Sequence, residues 1–217
     1  MVPTITRLAG FLALFGAVHS APASLDQATV SIGLEGREIV PVQWNLPINI
    51  NDPNGKKVAV TGTFEEAVAR MEAHFPGWNE SFVAQLPAVQ LPSRFGLRAD
   101  DDPELGNVVS TDCNIPGEAQ SEYRIGQGVS YLRGLSGKAS NNPGKCGRVS
   151  CSYHTAIYWC NEDTVDKEVE WNAIADGAYD VCRNCEKQDD KGVYHAKGTV
   201  TFKEKFSVTV KEDWENC

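Results

Sequence analysis

The sequence predicts an α+β fold: an antiparallel sheet with two helices on one face, a split βαβ sandwich braced by disulfides. Three observations predict it. All 7 cysteines stand at or beyond position 113. Residues 125–135 and 171–185 repeat apolar side chains at the spacing of an amphipathic helix. The segments around them alternate, or run apolar, in the manner of strands. Their order over residues 107–217 is β-α-β-β-α-β with room for one strand more, and a sheet that takes both helices on one side buries both apolar stripes.

Each element has its own signal. Val108-Val109 leads to Asp112-Cys113 as a short opening strand. Ile125, Val129, Leu132 and Leu135 mark the first helix, which Gly134, Gly137 and the stretch 138–145 end. Val149 to Tyr153 and Thr155 to Cys160 are rich in β-formers and predict a hairpin or one long bent strand. Trp171, Ile174, Ala178, Val181 and Cys185 mark the second helix and put Cys185 on its buried side. The acidic run Asp163, Asp166, Glu168 and Glu170 before it suits the positive end of a helix dipole. After Gly192, Val200, Phe202, Phe206, Val208 and Val210 alternate as strands about a turn at Lys203-Glu204-Lys205.

Upstream the signals are sparser. Thr29 to Leu34 and Val58 to Val60 read as strands, and Thr63 with Glu66 makes a capping box ahead of the helical stripe Phe64, Ala67, Val68 and Met71. Residues 85–106 hold prolines, glycines and the run Asp100-Asp101-Asp102 without an apolar period, as an exposed acidic linker does. Residues 21–106 are therefore expected to be a propeptide or a small α/β module, and 107–217 the cysteine-rich domain. Asn79-Glu-Ser81 is an N-glycosylation sequon and places Asn79 on the surface.

Residues 1–20 read as a signal peptide: Arg7, an apolar run from Leu8 to Val18, and small or tolerated residues at Val18 and Ser20 before Ala21. The run is too short for a membrane span of about 20 residues. Export favours disulfides over metal ligands. Cys113, Cys146, Cys151, Cys160, Cys185 and Cys217 are the expected bridge-formers, with Cys182 or Cys185 the spare; a free Cys182 would be buried, capped or used to dimerise. The pairing stays open, though Cys113 and Cys217 bracket the domain and would close its two ends if joined. A net charge of −9, with an acidic excess in both halves and no basic stripe, removes the driving force for binding nucleic acid or an anionic membrane. No cofactor or metal is expected.

Catalytic candidates are few. Ser152 and His154, with Asp176 as orienter, are the arrangement to test for a secreted hydrolase, but no sharp glycine turn presents the serine. Asp176 and Asp180 are neighbours on a helix, where a solvated or loop-bonding role is ordinary. Tyr153, Tyr158, Trp159, Trp171 and Trp214 are candidates for a carbohydrate platform or for the core of a domain short of aliphatic residues. Tyr158 and Trp159 face opposite sides of one strand, which leaves one of them as the expected target contact.

The block Cys146-Gly-Arg-Val-Ser-Cys151-Ser-Tyr, with Ala156-Ile157, Cys160-Asn161, Trp171 and Ile174-Ala-Asp-Gly-Ala178, resembles a family of small secreted fungal proteins that includes many effector candidates. The ending, Cys182-Arg-Asn-Cys185, Gly198, Val208-Thr-Val210 and Asn216-Cys217, is similar to the tail of virally encoded smut-fungus killer toxins. Both resemblances imply an α/β sandwich. They also imply a non-catalytic protein that binds an extracellular protein, channel or cell-wall component of a host or competitor. By position, Lys203, Lys205 and Lys211 stand nearest to the basic side chains such toxins use. The expectation is a secreted killer-toxin-like or effector protein, with a secreted hydrolase or a glycan-binding module as alternatives.

Overall fold

The computed structural model describes residues 31–34, 36–52, 54–86, 107–215 and 217. The expected signal peptide and most of the expected linker, 87–106, lie outside the described residues. The chain runs as strands β1 (Ser31–Leu34), β2 (Arg37–Val40), β3 (Gln43–Pro47) and β4 (Lys57–Thr61), then helices α1 (Phe64–His74) and α2 (Trp78–Val83). Beyond the linker come β5 (Val108–Asp112), β6 (Gln120–Ser121), α3 (Glu122–Arg133), β7 (Lys138–Asn141), β8 (Cys146–Ser152), β9 (Thr155–Asn161) and β10 (Lys167–Glu170). Helix α4 (Trp171–Cys185) and strands β11 (Lys187–Gln188), β12 (Tyr194–Ala196), β13 (Gly198–Phe202) and β14 (Phe206–Glu212) complete it.

The fold is α+β and disulfide-bonded. Its main sheet has the order β1-β2-β8-β9-β14-β13-β5, antiparallel except where β2 lies parallel to β8. Alternation along these strands sorts the two faces. Val149, Ile157, Trp159, Val200, Val208 and Val210 point into one core with α3 and α4, while Cys146, Cys151, Ala156, Tyr158 and Cys160 form a second, smaller cluster behind. Two glycines set the helices close to the sheet. A Cβ at Gly128 of α3 would stand 2.7 Å from Ile157 Cδ1, and one at Gly177 of α4 would stand 2.8 Å from Val208 Cβ. Absent side chains at these points let the helix backbones rest on the strands, which larger residues would prevent.

The upstream segment shares this core rather than building its own. Val42, Trp44, Leu46, Phe64, Ala67, Met71, Trp78 and Phe82 belong to the same buried cluster as α3 and α4. Trp44 stacks on Trp171 with ring centroids 4.3 Å apart and donates Nε1–H to the Gly62 carbonyl at 2.8 Å. The capping box of α1 is present, Thr63 and Glu66 each bonding the other's backbone N–H. Beside it, Glu65 reaches across to β8, accepting from Ser150 Oγ at 2.7 Å and from the Cys151 N–H at 2.9 Å. That is where β8 is irregular between Arg148 and Ser150, so the carboxylate takes a donor next to the bulge.

Several expectations need correcting. The acidic run before α4 is partly strand: Lys167–Glu170 is β10, paired with β7, and of the run Glu170 stands at the N-cap of α4, whose first turn carries no acid. Stretch 138–145 does not merely end a helix but supplies β7. Asp163 instead holds Lys167 at 3.5 Å and Lys205 at 3.2 Å. The bridges are Cys113–Cys185, Cys146–Cys160 and Cys151–Cys217, so the ends of the domain are tied at Cys185 and Cys151 and not to each other. Cys182 is the free thiol and is buried, which closes the route to a dimer through it.

Candidate binding surface

Strands β8 and β9 are joined by only two residues, Tyr153 and His154, with φ of 51° and 65°. A two-residue hairpin whose central residues both have positive φ is the turn that the strand twist favours, and it normally takes Asn-Gly. Here two bulky residues occupy it, each at a cost of about 1 kcal/mol or more for the left-handed backbone. Among the described residues Lys205, with φ of 57° in the β13–β14 turn, is the third non-glycine residue held in that region.

Exposed aromatic side chains stand in the turn and on α3 and the chain end, which contact it. Tyr123, Tyr153 and Trp214 are 61 %, 66 % and 67 % exposed. The guanidinium of Arg124 lies over the Tyr153 ring, 5.1 Å from its centroid, and donates to the Tyr153 carbonyl at 2.7 Å. The His154 ring stacks on Trp214 at 3.8 Å, and the His154 carbonyl accepts from Asp213 N–H at 2.9 Å. Tyr123 adjoins Arg124 on α3, and its hydroxyl accepts from Gln127 at 3.3 Å.

Behind this cluster the chain end is strapped to the sheet. Arg148 donates to Asp213 at 2.9 Å and to the Glu215 carbonyl at 2.6 Å, and Tyr158 donates its hydroxyl to the same Asp213 carboxylate. The Cys151–Cys217 bridge closes the strap beyond Trp214. Burial pushes the Asp213 carboxyl upward, but its bonds from Tyr158, the Glu215 N–H and Arg148 outweigh that and hold it below the usual carboxylate range. The Tyr158 phenol is raised, first by burial and then by Asp213. The strap therefore holds the segment that carries Trp214 against the sheet.

Of the residues singled out in the sequence, Tyr158 and Trp159 are both buried, so neither is the exposed contact. Trp159 faces the helix-side core; Tyr158 lies under the strap. The exposed rings near them are Tyr153 in the turn and Trp214 on the strap. Nothing in the periodicity of β9 reports a cover supplied by the chain end. Lys203 and Lys205 are exposed in the β13–β14 turn, which pairing places at the Asn161 end of β9, roughly 20 Å from the Tyr153 turn. Asp176 lines a groove of about 690 Å³ at that same far end, with Glu168, Glu170, Glu204 and the stacked rings of Phe202 and Phe206, and it holds Arg133 at 2.5 Å. Ser152 and His154 are thus not assembled with Asp176. Among the described residues the Nδ1 of His154 has no hydrogen-bond partner, so none of their carboxylates orients the ring through that atom as a base would require.

Asp180, expected either at a solvated face or bonded to a loop backbone, is buried and accepts from Arg183 at 3.1 Å. Asn79 is exposed on α2. The Cys182 thiol is pushed up by burial, and further by Glu122 and Glu186, at the C-terminal end of α4 where the helix dipole also opposes a thiolate. Among the described residues, no group of three or more His, Cys, Asp or Glu converges as metal ligands, and no helix is long and apolar enough to cross a membrane. The turn itself was findable: two β runs separated by two residues call for Asn-Gly, and Tyr-His there is a local conflict. No family model matches the chain, and neither a curated protein nor a solved structure matches it.

Proposed function

We propose that this is a secreted, non-catalytic binding protein, killer-toxin-like or effector-like in its action, that engages a target outside the producing cell through Tyr153, His154 and Trp214. The observation that carries the reading is the turn: two aromatic residues sit where glycine would be more stable, and the gain is outward-facing rings on a rigid support. Rigid aromatic side chains bring large contact area at little conformational cost, the property of binding hot spots. The leader-like residues 1–20 and the three disulfides fit an oxidising, extracellular setting. The biology of toxin or effector rests on the resemblance over residues 107–217. A protein, a channel or a wall component of the target cell is the partner class.

The test adds the full oxidised protein to plant and fungal cells and records binding, growth, death and calcium influx. A reduced, alkylated sample and a Tyr153→Ala/Trp214→Ala variant run beside it. Binding and a response confined to the oxidised wild type are expected. A full response from the variant would move the contact away from the turn, with the Lys203 and Lys205 end next to be mutated.

A further inference from the structure

Away from the turn, we infer that the molecule holds a second binding site, for a neutral and largely apolar small molecule, where β3 and α2 pack on the α3–β7 connection and the start of α4. A cavity of about 390 Å³ lies there, a volume within the range of small-ligand sites. Four aromatic side chains form its back. Trp44 stacks on Trp171 and Trp78 on Phe82, and all four are buried. The indole N–H groups of Trp44 and Trp78 donate to the carbonyls of Gly62 and Pro47, each at 2.8 Å. Stacking and hydrogen bonds thus fix these walls within the fold itself, so binding has little left to order. Nearer the opening, Pro47, Ile50, Leu86 and Leu135 are only half-buried and leave apolar surface in water.

The rim selects the class of ligand. The exposed side chains that line the cavity are Asn45, Asn51, Gln85 and Ser136, and Gln85 donates to Asn51 at 2.8 Å. Amides and a hydroxyl can bond the polar end of a molecule whose body is apolar. Among the described residues, no ionisable side chain lines the cavity. A carboxylate or ammonium moving in would leave water without meeting a counter-charge, a cost that a neutral molecule does not bear. The larger groove beside Phe202 and Phe206 differs on this point, being lined by Glu168, Glu170, Asp176, Glu204 and Lys167. A recess of about 390 Å³ takes a small molecule whole but only a side chain of a protein, and its polar rim offers a docked protein no broad apolar contact.

The test titrates the full oxidised protein with Nile red, a neutral apolar dye, and with 2-naphthamide and 2-naphthoate, which share a ring system and differ in charge. Three of the 5 tryptophans line the cavity, so tryptophan emission reports occupancy alongside the dye. Saturable binding of Nile red is expected, with naphthamide competing and naphthoate weaker by about tenfold or more. Ile50→Glu and Ser136→Trp, which charge and fill the opening, should each weaken the dye about tenfold. Ser136 is exposed, so its variant should keep the wild-type Tm and separate lost binding from lost folding. Val193→Glu should bind as wild type, because Val193 is exposed next to β12, which pairs with β6 at the other end of α3. Absence of saturable binding, equal affinity for naphthoate, or dye binding unchanged in both opening variants overturns the proposal. It also fails if wild type binds no probe and a variant with residues 87–106 replaced by a Gly-Ser linker does, since the chain then fills its own cavity. Likewise, no probe bound while Ile50→Glu abolishes capture by cells would assign the recess to a protein partner. The Tyr153→Ala/Trp214→Ala variant should bind the dye as wild type does, so this site and the turn stand or fall separately.

Discussion

Tyr153 and His154 bear the backbone strain of their turn themselves, and their neighbours hold the chain end through a few charged contacts. Replacing the pair by Asn-Gly should raise stability by about 1–2 kcal/mol, read as a higher Tm, while removing the rings. An unchanged or lower Tm would mean that the left-handed turn carries no strain in solution. Around Asp213 the chemistry is pH-dependent at both extremes. Its folded pKa is lowered, so its contribution is complete above the unfolded carboxylate range near about pH 4 and is lost as pH falls through the lowered value. The folded pKa of Tyr158 is raised, so its contribution is complete below the phenol's unfolded value near about pH 10 and is lost as pH rises through the raised value. Tm against pH should therefore fall at both ends, with Tyr158→Phe flattening the alkaline limb. An equally steep alkaline limb in that variant would rule the coupling out. Cys182 belongs at this scale too. A thiol-specific reagent should leave the native protein untouched and label Cys182 only in denaturant, and rapid native labelling would contradict its burial.

The element that depends most on one small residue is α4. Alanine at Gly177 gains up to about 1 kcal/mol of helix propensity, but its Cβ would press on Val208 and on Phe202 Cε2 at 3.1 Å. Overpacking of this kind costs about 1–3 kcal/mol, so Gly177→Ala should lower stability despite the better helix former. A denaturant midpoint above wild type would show that the helix can lift from the sheet at no cost. Helix α2 presents Asn79 of the sequon to solvent, beside a backbone N–H that Glu72 holds at 2.8 Å. If the chain is exported through a glycosylating pathway, glycosidase treatment should lower its mass, and Asn79→Gln should abolish the difference.

At the level of the whole molecule, one core draws on residues 42–82 and 125–210 together. Trp44, fully buried against Trp171, should cost about 3–5 kcal/mol when changed to alanine, a large share of the stability of a domain this size. Residues 107–217 alone would leave Trp171 without its stacking partner, β8 without the edge strand β2, and the Cys151 N–H without Glu65. That fragment should lack the cooperative melt of the full protein, and an equally sharp transition would show the cysteine domain to be autonomous. The Cys151–Cys217 bridge spans 66 residues, for which chain entropy gives about 4 kcal/mol. Serine at both positions should lower Tm and free the strap that carries Trp214.

Residues 107–217 were readable as a sequence because their signals are local. The stripes Ile125-Val129-Leu132 and Trp171-Ile174-Ala178-Val181, the β runs Val149 to Tyr153 and Thr155 to Cys160 and the turn at 203–205 report conformation through period and propensity. Whether the two β runs formed a hairpin or one bent strand, and the short strands β6, β7, β10, β11 and β12, were left to the structure. That most of the cysteines form bridges was legible from their number and the leader-like start, but the spare stayed open between Cys182 and Cys185 and the partners were not legible, because pairing depends on which Cβ atoms the fold brings together. Tertiary structure alone decided what covers each face. It packed Trp44 and Trp78 into a core that their own segment lacks, and folded the chain end over Tyr158. That burial left Tyr123, Tyr153 and Trp214 as the exposed aromatic residues, on helix, hairpin and strap, with Trp214 stacked on His154 and Tyr153 under Arg124. Alternation along a strand assigns side chains to faces; it does not say which distant segment will lie on them.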